Sequence, residues 1–400
     1  MFIDSPKNIF EGVLKVINSP DVLVTDYIYI GGLGAAITNS AIVGFISILL
    51  MKVFKCENRG TNIMAIWLMM GFAFFGKNLL NTFPIILGGY VYSLYHKKPF
   101  SNYMATTMLS TSLAPVVSQM MFLGLHPAIG LLLSIIVGVA LGYAIIPISS
   151  YTYRAHGGYN LYNVGFAAGI VSLVLAALLR NAGFTVEPVS LWSEGKNTVL
   201  TVFLMSTSLI LIAGGIILTA NEELFKIKSY KAHFPVIDDT YTTHGEKAYL
   251  NMGILGIFST ALILFVDGEL SGPIIGGIFT IIGFGCVGKT LYNIFPAMLG
   301  CLIATFFAGW EFNNPSIMLT MLFSATLAPI SSNFHSLWGV LAGFIHLNIS
   351  VKLSAMNGGL SLYNNGLAGG FVAIIIVPII FSLQRKPNHH NSHLNYDSHV

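Results

Sequence analysis

Long apolar runs without charge constrain the fold of this chain more than any other feature. The runs 104–124, 129–148 and 366–381 contain no Asp, Glu, Lys or Arg. About 20 such residues span the hydrocarbon core of a bilayer, and a helix satisfies every backbone polar group within its own segment. Only 9% of the 400 residues are charged, whereas about a quarter is usual in soluble proteins. The sequence therefore predicts an all-α, polytopic transmembrane helical bundle with about 11–13 spans.

One stretch of the sequence occurs twice. Residues 76–88 read GKNLLNTFPIILG and residues 288–300 read GKTLYNIFPAMLG, so eight of 13 positions are identical without a gap. Two further motifs recur in the same order. The first, S-x-x-L-A-P-x-x-S, lies at 110–118 and 324–332, and the second, G-G-x-x-L-Y-N-x-G-x-A-x-G, lies at 157–169 and 358–370. Because three motifs share one order, the sequence predicts an internal duplication.

The repeats divide the chain into five parts. These are an interfacial N-terminal segment, 1–26; a first transmembrane repeat, 27–181; a loop, linking span and polar loop, 182–248; a second transmembrane repeat, 249–384; and a polar tail, 385–400. In each repeat the motif around Lys77 or Lys289 interrupts an apolar run, and the segments on either side are short for full crossings. The interruption predicts either a re-entrant hairpin or two short crossings.

The positions of Lys and Arg predict the orientation in the membrane. Cytoplasmic loops collect these residues, which occur at 52–59, at 97–98 and in the loop 226–247. If these loops are cytoplasmic, the linking span reverses the direction of the second repeat relative to the first. We therefore expect two inverted repeats, a multi-pass location in the cell membrane and a cytoplasmic C-terminus. Inverted repeats with interrupted helices are common in secondary transporters.

Several classes of function lack the residues that they require. The chain contains no G-x-S-x-G, H-E-x-x-H or Walker motif, and its three cysteines form no C-x-x-C pair. Its net charge of +3 is not concentrated in a basic cluster with aromatic residues. We therefore expect no enzymatic activity, no cofactor, no metal and no nucleic acid. The expected partners are the lipid bilayer and a small-molecule solute, and a homo-oligomer is left open.

Two lysines are the leading candidates for a binding site. Lys77 and Lys289 lie within apolar runs and match between the repeats. A charge at the centre of a spanning helix costs roughly 2.5–3.5 kcal/mol, so it needs a partner or water. All Asp and Glu residues fall outside the predicted spans or at their edges, which indicates that the chain supplies no buried acid as a partner. The lysines would then form an electropositive site for an anion such as a carboxylate, or alternatively extend to the headgroups.

Three further groups of polar residues recur between the repeats. Each combines a helix-breaking residue with amide or hydroxyl side chains that could line a cavity. The substrate- or ion-binding candidates in these groups are Asn81, Asn293, Ser118, Gln119, Ser332, Asn333, Asn163 and Asn364. A structural role is the alternative for each group: a capped turn, a kinked packing helix, or a glycine-rich helix contact. Tyr162 and Tyr363 fit an interfacial aromatic belt.

With these duplicated motifs, the chain resembles an uncharacterised family of bacterial integral membrane proteins built on a repeated domain of unknown function. The resemblance covers about 27–383 and implies no activity or site residues. A fainter likeness is to urea transporters, which also have inverted halves. It rests on the order of a Gly-to-Asn element at 76–81 and a Pro-x-x-Ser element at 115–118, while the aromatic pattern before the asparagine and the later Thr-x-Pro-Phe element are missing.

These observations favour a secondary transporter for a small anionic solute, with its site between the two repeats. A passive channel for a small neutral solute is the first alternative. A membrane-embedded binding or assembly protein without transport is the second. Because no acid lies within the predicted spans, sodium coupling or no coupling is favoured over proton coupling.

Overall fold

The computed structural model describes residues 4–22, 24–219 and 239–384. In these ranges the chain is helical, and the β-type pairing consists of two isolated bridges, Thr25 to Leu191 and Asp26 to Phe75. The helices are α1 Pro6–Ile17, α2 Tyr27–Gly31, α3 Leu33–Val53, α4 Gly60–Phe72, α5 Leu79–Tyr95, α6 Met104–Ser110, α7 Ala114–Met121, α8 Pro127–His156, α9 Asn163–Asn181, α10 Asn197–Leu218, α11 Thr240–His244, α12 Lys247–Phe265, α13 Gly272–Phe284, α14 Leu291–Ala308, α15 Pro315–Phe323, α16 Ala328–Asn333, α17 Ser336–Met356 and α18 Asn364–Gln384. The predicted tail 385–400 and most of the polar loop before α12 lie outside the described residues.

Nine segments of the described chain are long and apolar enough to cross a membrane. Two of the remaining apolar helices, α4 and α13, are shorter. The prediction of an all-α polytopic bundle is confirmed. In the Ser and Pro motifs the helix is interrupted by a 3-10 turn, Thr111–Leu113 in the first repeat and Ser324–Leu327 in the second.

The duplicated lysine motif forms a non-helical turn in each repeat. Gly76 and Gly288 adopt φ angles of 85° and 94°, a left-handed conformation that favours glycine. The following helix then starts from a capping box, Asn78 with Asn81 in α5 and Thr290 with Asn293 in α14. We call residues 73–78 and 285–290 the first and second break. The sequence therefore encodes each break locally, by a turn glycine followed by a helix start.

The first break turns the chain back toward the end of the bundle from which it came. The ring of Phe54, which follows α3, lies 5.6 Å from the ring of Tyr90 near the end of α5 and 4.9 Å from that of Phe100. The helix α4 has 13 residues, which is about 20 Å and less than a bilayer core. The interrupted run of the first repeat therefore forms a helical hairpin with one short arm, and both predicted alternatives, a re-entrant hairpin and two short crossings, share this shape. We call this end, which carries Lys55, Arg59 and Lys97, the basic end.

The two repeats contact each other reciprocally through α4 and α13. A Cβ atom built on Gly71 would lie 2.8 Å from the Cβ of Phe279, and one built on Gly283 would lie 2.8 Å from the Cβ of Trp67. Gly71 and Gly283 are equivalent positions of the two repeats. Gly71 contacts the residue four positions before Gly283, and Gly283 contacts the residue four positions before Gly71. The rings of Trp67 and Phe279 meet at 5.0 Å. Because the end of each helix contacts the middle of the other, α4 and α13 pack antiparallel.

A second pair, α9 and α18, exchanges contacts in the same way. A Cβ on Gly165 would lie 2.9 Å from the Cβ of Tyr363, and one on Gly366 would lie 3.0 Å from the carbonyl oxygen of Tyr162. The backbone follows the same rule: Leu161 donates to Thr326 at 3.0 Å, and Leu362 donates to Ser112 at 2.9 Å. Each of these contacts from the first repeat to the second has an equivalent contact from the second repeat to the first. The described parts of the repeats are therefore related by an approximate two-fold axis.

The N-terminal segment is not wholly interfacial. Helix α1 is amphipathic, because Phe10 and Leu14 are exposed whereas Gly12 and Val16 are buried. The residues that follow α1 turn into the protein instead. Asp21 and Asp26 are both 0% exposed, so the prediction that the chain supplies no buried acid is wrong. Position relative to the apolar runs did not reveal this, because the segment folds against the first break.

Candidate functional site

Both lysines of the duplicated motif are buried at the breaks. Lys77 and Lys289 are 0% exposed, so neither ammonium group extends to a headgroup. The Nζ of Lys77 lies 3.7 Å from the sulfur of Met69 and 4.9 Å from the ring centroid of Phe72. The Nζ of Lys289 donates to the hydroxyl of Tyr162 and lies 4.3 Å from the centroid of that ring. The lysines are therefore surrounded by aromatic and thioether groups.

No carboxylate in the described ranges forms an ion pair with either lysine. Ion pairs between described residues include Lys7 with Glu11 and Arg59 with Glu57, and both are exposed. An ammonium group in an apolar environment is costly unless a compensating group approaches it. A bound anion or loss of the ammonium proton would remove this cost, and at the first break the buried carboxylate of Asp21 lies nearby.

A row of four aromatic rings connects the two breaks across the approximate two-fold axis. Ring centroids are 4.7 Å apart for Phe72 and Tyr363, 5.1 Å for Tyr363 and Tyr162, and 4.9 Å for Tyr162 and Phe284. Both tyrosines are 2% exposed, so their predicted place in an interfacial belt is wrong. Since α9 and α18 begin next to these tyrosines, the antiparallel crossing of the two helices brings both rings to the centre.

The row is not symmetric in its hydrogen bonds. The hydroxyl of Tyr162 accepts a bond from Lys289. Its counterpart, the hydroxyl of Tyr363, makes no hydrogen bond of acceptable geometry within the described chain. The second repeat therefore holds its lysine against a tyrosine, while Lys77 in the first repeat lies against Met69 and Phe72.

A cavity of about 170 Å³ leads to the row from the basic end. Its lining combines residues of both repeats, Thr61, Met64, Ala105, Thr106, Leu109, Tyr153, Leu161, Tyr162, Asn163, Val164, Gly165, Phe284, Val287 and Tyr363. Thr61 and Ala105 also line the cleft around Lys55 and Arg59, which places the mouth at the basic end.

Two residues at the two-fold counterpart of this cavity are more buried than their equivalents in its wall. Thr106 in the cavity wall is partly exposed, whereas its counterpart Thr320 is buried. The same difference separates Asn163, which is partly exposed, from Asn364, which is 2% exposed. A cavity thus leads toward the centre of the described protein from the basic end, and the two equivalent residues of the other repeat are buried.

Two asparagines that were not predicted hold the breaks in place. The amide nitrogen of Asn39 donates to the carbonyls of Ala73 at 2.7 Å and Lys77 at 2.8 Å. Asn251 donates in the same way to Gly285 and Lys289, at 2.7 Å each. Each asparagine precedes its lysine by 38 residues, and this equal spacing is the signal that could have identified it. They bind the carbonyls that the helix interruption leaves free.

Replacing Asn251 with Leu is expected to lower the free energy of unfolding by about 2–4 kcal/mol, because two buried carbonyls lose their donor. Thermal unfolding of the purified protein in detergent measures the change. Asn348→Leu is the matched control, since Asn348 is exposed and bonds only within its own helix. An equal loss in both variants would contradict the role of Asn251.

Asn81 and Asn293 lie in the first turns of α5 and α14 and bind the backbone of the breaks. The side-chain oxygen of Asn81 accepts from the Asn78 amide at 2.9 Å, and its nitrogen donates to the Gly76 carbonyl at 3.0 Å. Asn293 makes the equivalent bonds to Thr290 and Gly288. Both asparagines are 1% exposed. They shape the turns around the lysines, as in the structural alternative, and do not line the cavity.

The first break also contains an acidic cluster that has no predicted counterpart. One carboxylate oxygen of Asp21, Oδ2, accepts from Asn78 at 3.0 Å, from Asn81 at 2.9 Å and from Ser118 at 2.9 Å. The other oxygen, Oδ1, is buried without a partner of acceptable geometry in the described residues. The hydroxyl of Tyr27 faces this carboxylate and is likewise buried without such a partner. Ser118 was predicted as a site residue, whereas Asp21 was missed.

The remaining candidates of the Ser and Pro motif stay away from the centre. Gln119 donates to the carbonyl of Thr185 at 3.4 Å. Ser332 is partly exposed, and Asn333 donates to the carbonyl of Pro329 in its own helix at 2.9 Å. The structure therefore brings Ser118 together with Asn81 but does not bring these three residues to the aromatic row.

The two asparagines of the glycine-rich motif differ in position. Asn163 lines the cavity, accepts from Thr152 at 2.7 Å and donates to the carbonyl of Ser149 at 2.8 Å. Asn364 is buried and bonds to Asn357. Of the pair, Asn163 therefore has a side chain near the space that a solute could occupy.

Two aspartates fasten each repeat to the other. Asp26 accepts from the amide of Gly272 at 3.1 Å, and Asp239 accepts from the amide of Gly60 at 2.9 Å. These amides lie at the N-termini of α13 and α4, where a negative charge is favourable. Because each acid also caps the short helix that follows it, α2 or α11, the pair is reciprocal.

The chain matches one family model twice, over residues 5–181 and 219–382. The family is described as a protein of unknown function, DUF1576. The two matches correspond to the two repeats, which confirms the predicted resemblance to an uncharacterised duplicated family, whereas the likeness to urea transporters is not shown. No match was found among curated proteins or solved structures. Since the family model covers most of its length, this chain belongs to the DUF1576 family.

Proposed function

We propose that the protein is a secondary transporter of a small anionic solute that binds at the aromatic row between the two lysines. One observation supports this most directly: a cavity from one end of the bundle is lined by Tyr162 and Tyr363, and the Nζ of Lys289 contacts Tyr162. A volume of about 170 Å³ corresponds to about five or six water molecules, and so to a solute of few heavy atoms.

The charge distribution favours an anion. Lys77 and Lys289 are buried without a carboxylate partner in the described chain, so a bound anion would supply the missing compensation. The helices α5 and α14 begin directly after the lysines, at Leu79 and Leu291, and helix N-termini favour negative charge. A small carboxylate fits both features.

One-sided access favours a carrier over a channel. The antiparallel contacts of α4 with α13 and of α9 with α18 support an inverted arrangement of the repeats. In such an arrangement, exchanging the conformations of the two repeats closes the observed cavity and opens its counterpart, which is alternating access. Because Lys and Arg collect at the basic end, we place that end and the C-terminus in the cytoplasm.

Uptake by proteoliposomes tests the proposal. We expect uptake of labelled lactate, pyruvate or succinate that saturates with concentration and depends on an ion gradient. Uptake of labelled urea that is linear and independent of a gradient would instead identify a channel for neutral solutes. Absence of flux for every carboxylate, with the protein folded, would contradict a carboxylate transporter.

Cysteine labelling tests the one-sided cavity without knowledge of the solute. In a Cys56→Ser background, whose other two cysteines are buried, Thr106→Cys is expected to react with a membrane-impermeant maleimide added at the basic end. Its two-fold counterpart, Thr320→Cys, is expected to react at least tenfold more slowly from either side, because it is 6% exposed. Equal reactivity of the two would contradict closure of the second cavity.

A further inference from the structure

The cluster around Asp21 brings three elements to a single carboxylate. Asp21 lies between α1 and α2, its partners Asn78 and Asn81 lie at the start of α5, and Ser118 lies on α7. All four residues are at most 3% exposed. Since Asn78 directly follows Lys77, the charge of this carboxylate acts on the same break that holds one of the two lysines.

The two oxygens of Asp21 have different surroundings. Three donors bind Oδ2, whereas Oδ1 is buried, has no hydrogen bond of good geometry in the described chain and has the Tyr27 hydroxyl near the same carboxylate. The side chains of Asn78 and Asn81 offer no oxygen ligand for a cation beside Asp21, because they present their nitrogen atoms to the carboxylate. A proton on Oδ1 would remove the buried charge while the three bonds to Oδ2 stay in place.

We propose that Asp21 is a proton-binding site whose protonation accompanies binding of the anionic solute near Lys77, so that transport is coupled to protons. This coupling rests on the proposed transport function, whereas the proton site itself does not. A negative charge at Asp21 disfavours a second anion at the adjacent break, and a neutral Asp21 does not. By linkage, solute binding then raises the proton affinity of Asp21 by the same factor.

The surroundings of Asp21 support exchange of a proton under physiological conditions. Burial raises the pKa of Asp21 from 3.8 to about 7, although its hydrogen bonds oppose this rise. The carboxyl group is thus protonated below about pH 7 and ionised above it. Among the described residues, Tyr27 is the titratable group that faces it, while α5 and α7 contribute Asn78, Asn81 and Ser118. Lys77 directs its Nζ toward Met69 and Phe72 instead.

Infrared difference spectroscopy of the full chain in liposomes tests the proton site. We expect a band of a protonated carboxylic acid that disappears with a midpoint near neutral pH and that is missing in Asp21→Asn. Ser118→Ala is expected to raise the midpoint by about one pH unit, because the ionised form loses a donor. The counterpart substitution Ser332→Ala is expected to leave the midpoint unchanged. A band that persists in Asp21→Asn, or a midpoint that Ser118→Ala does not move, would overturn the assignment.

Flux in proteoliposomes tests the coupling separately. We expect a pH gradient, acidic on the uptake side, to drive accumulation of labelled lactate in the natural chain. In Asp21→Asn, exchange of lactate is expected to continue while the gradient-driven accumulation is lost. Accumulation that persists in Asp21→Asn would overturn the coupling. A neutral titration midpoint without any flux would leave the proton site supported and remove the transport function.

Discussion

Replacing Lys289 with Met is expected to reduce carboxylate uptake at least tenfold while the protein stays folded. The substitution removes the amino group that contacts Tyr162 and keeps a flexible apolar side chain of similar length. A charge-assisted contact is worth about 1.5–3 kcal/mol, and 1.4 kcal/mol corresponds to a factor of about ten in affinity. Initial uptake rates of labelled lactate into proteoliposomes measure the change.

The unfolding temperature of the variant shows whether the substitution removes the binding site or unfolds the protein. A buried charge without an ion-pair partner opposes folding, so Lys289→Met is expected to unfold at the same temperature as the natural chain or higher. Lys77→Met is expected to behave in the same way. Lys52→Met, at an exposed position in α3, is the control and should transport normally. Normal uptake by Lys289→Met would remove this lysine from the site.

Replacing Gly343 with Ala is expected to lower the free energy of unfolding by about 3 kcal/mol, with reduced yield of folded protein. A Cβ atom at Gly343 would lie 1.9 Å from the carbonyl oxygen of Ala297, and a backbone atom cannot move aside as a side chain can. The counterpart Gly142 has the same distance to Ile85 in the first repeat, so Gly142→Ala is expected to have a similar effect. Thermal unfolding in detergent, followed by tryptophan fluorescence, measures both.

A matched glycine shows whether this effect comes from contact. Gly214 lies within α10, and a Cβ atom at this position would have no described neighbour within 4 Å. Gly214→Ala is therefore expected to be neutral or to stabilise the protein by up to about 1 kcal/mol. If Gly343→Ala were tolerated equally well, α14 and α17 would not be in the close contact described.

Where sequence reasoning succeeded, the signal was local. The apolar runs identified membrane helices, and the turn glycines Gly76 and Gly288 together with the caps that follow them located the breaks. Where it failed, the partner was distant. Ser118 meets Asp21 across 97 positions, and Lys289 meets Tyr162 across 127. Asp21 lies outside every apolar run, so its burial had no signature in hydropathy.

By itself, therefore, the sequence determined that this protein is a duplicated bundle of membrane helices with an interrupted helix in each half. These properties follow from apolar length and from turn and cap residues, which act on neighbours within a few positions. Only the tertiary structure decided that both lysines are buried, that two tyrosines meet between them and that the cavity opens at one end. These features depend on which faces of α4, α9, α13 and α18 pack together, and composition and spacing do not specify that choice.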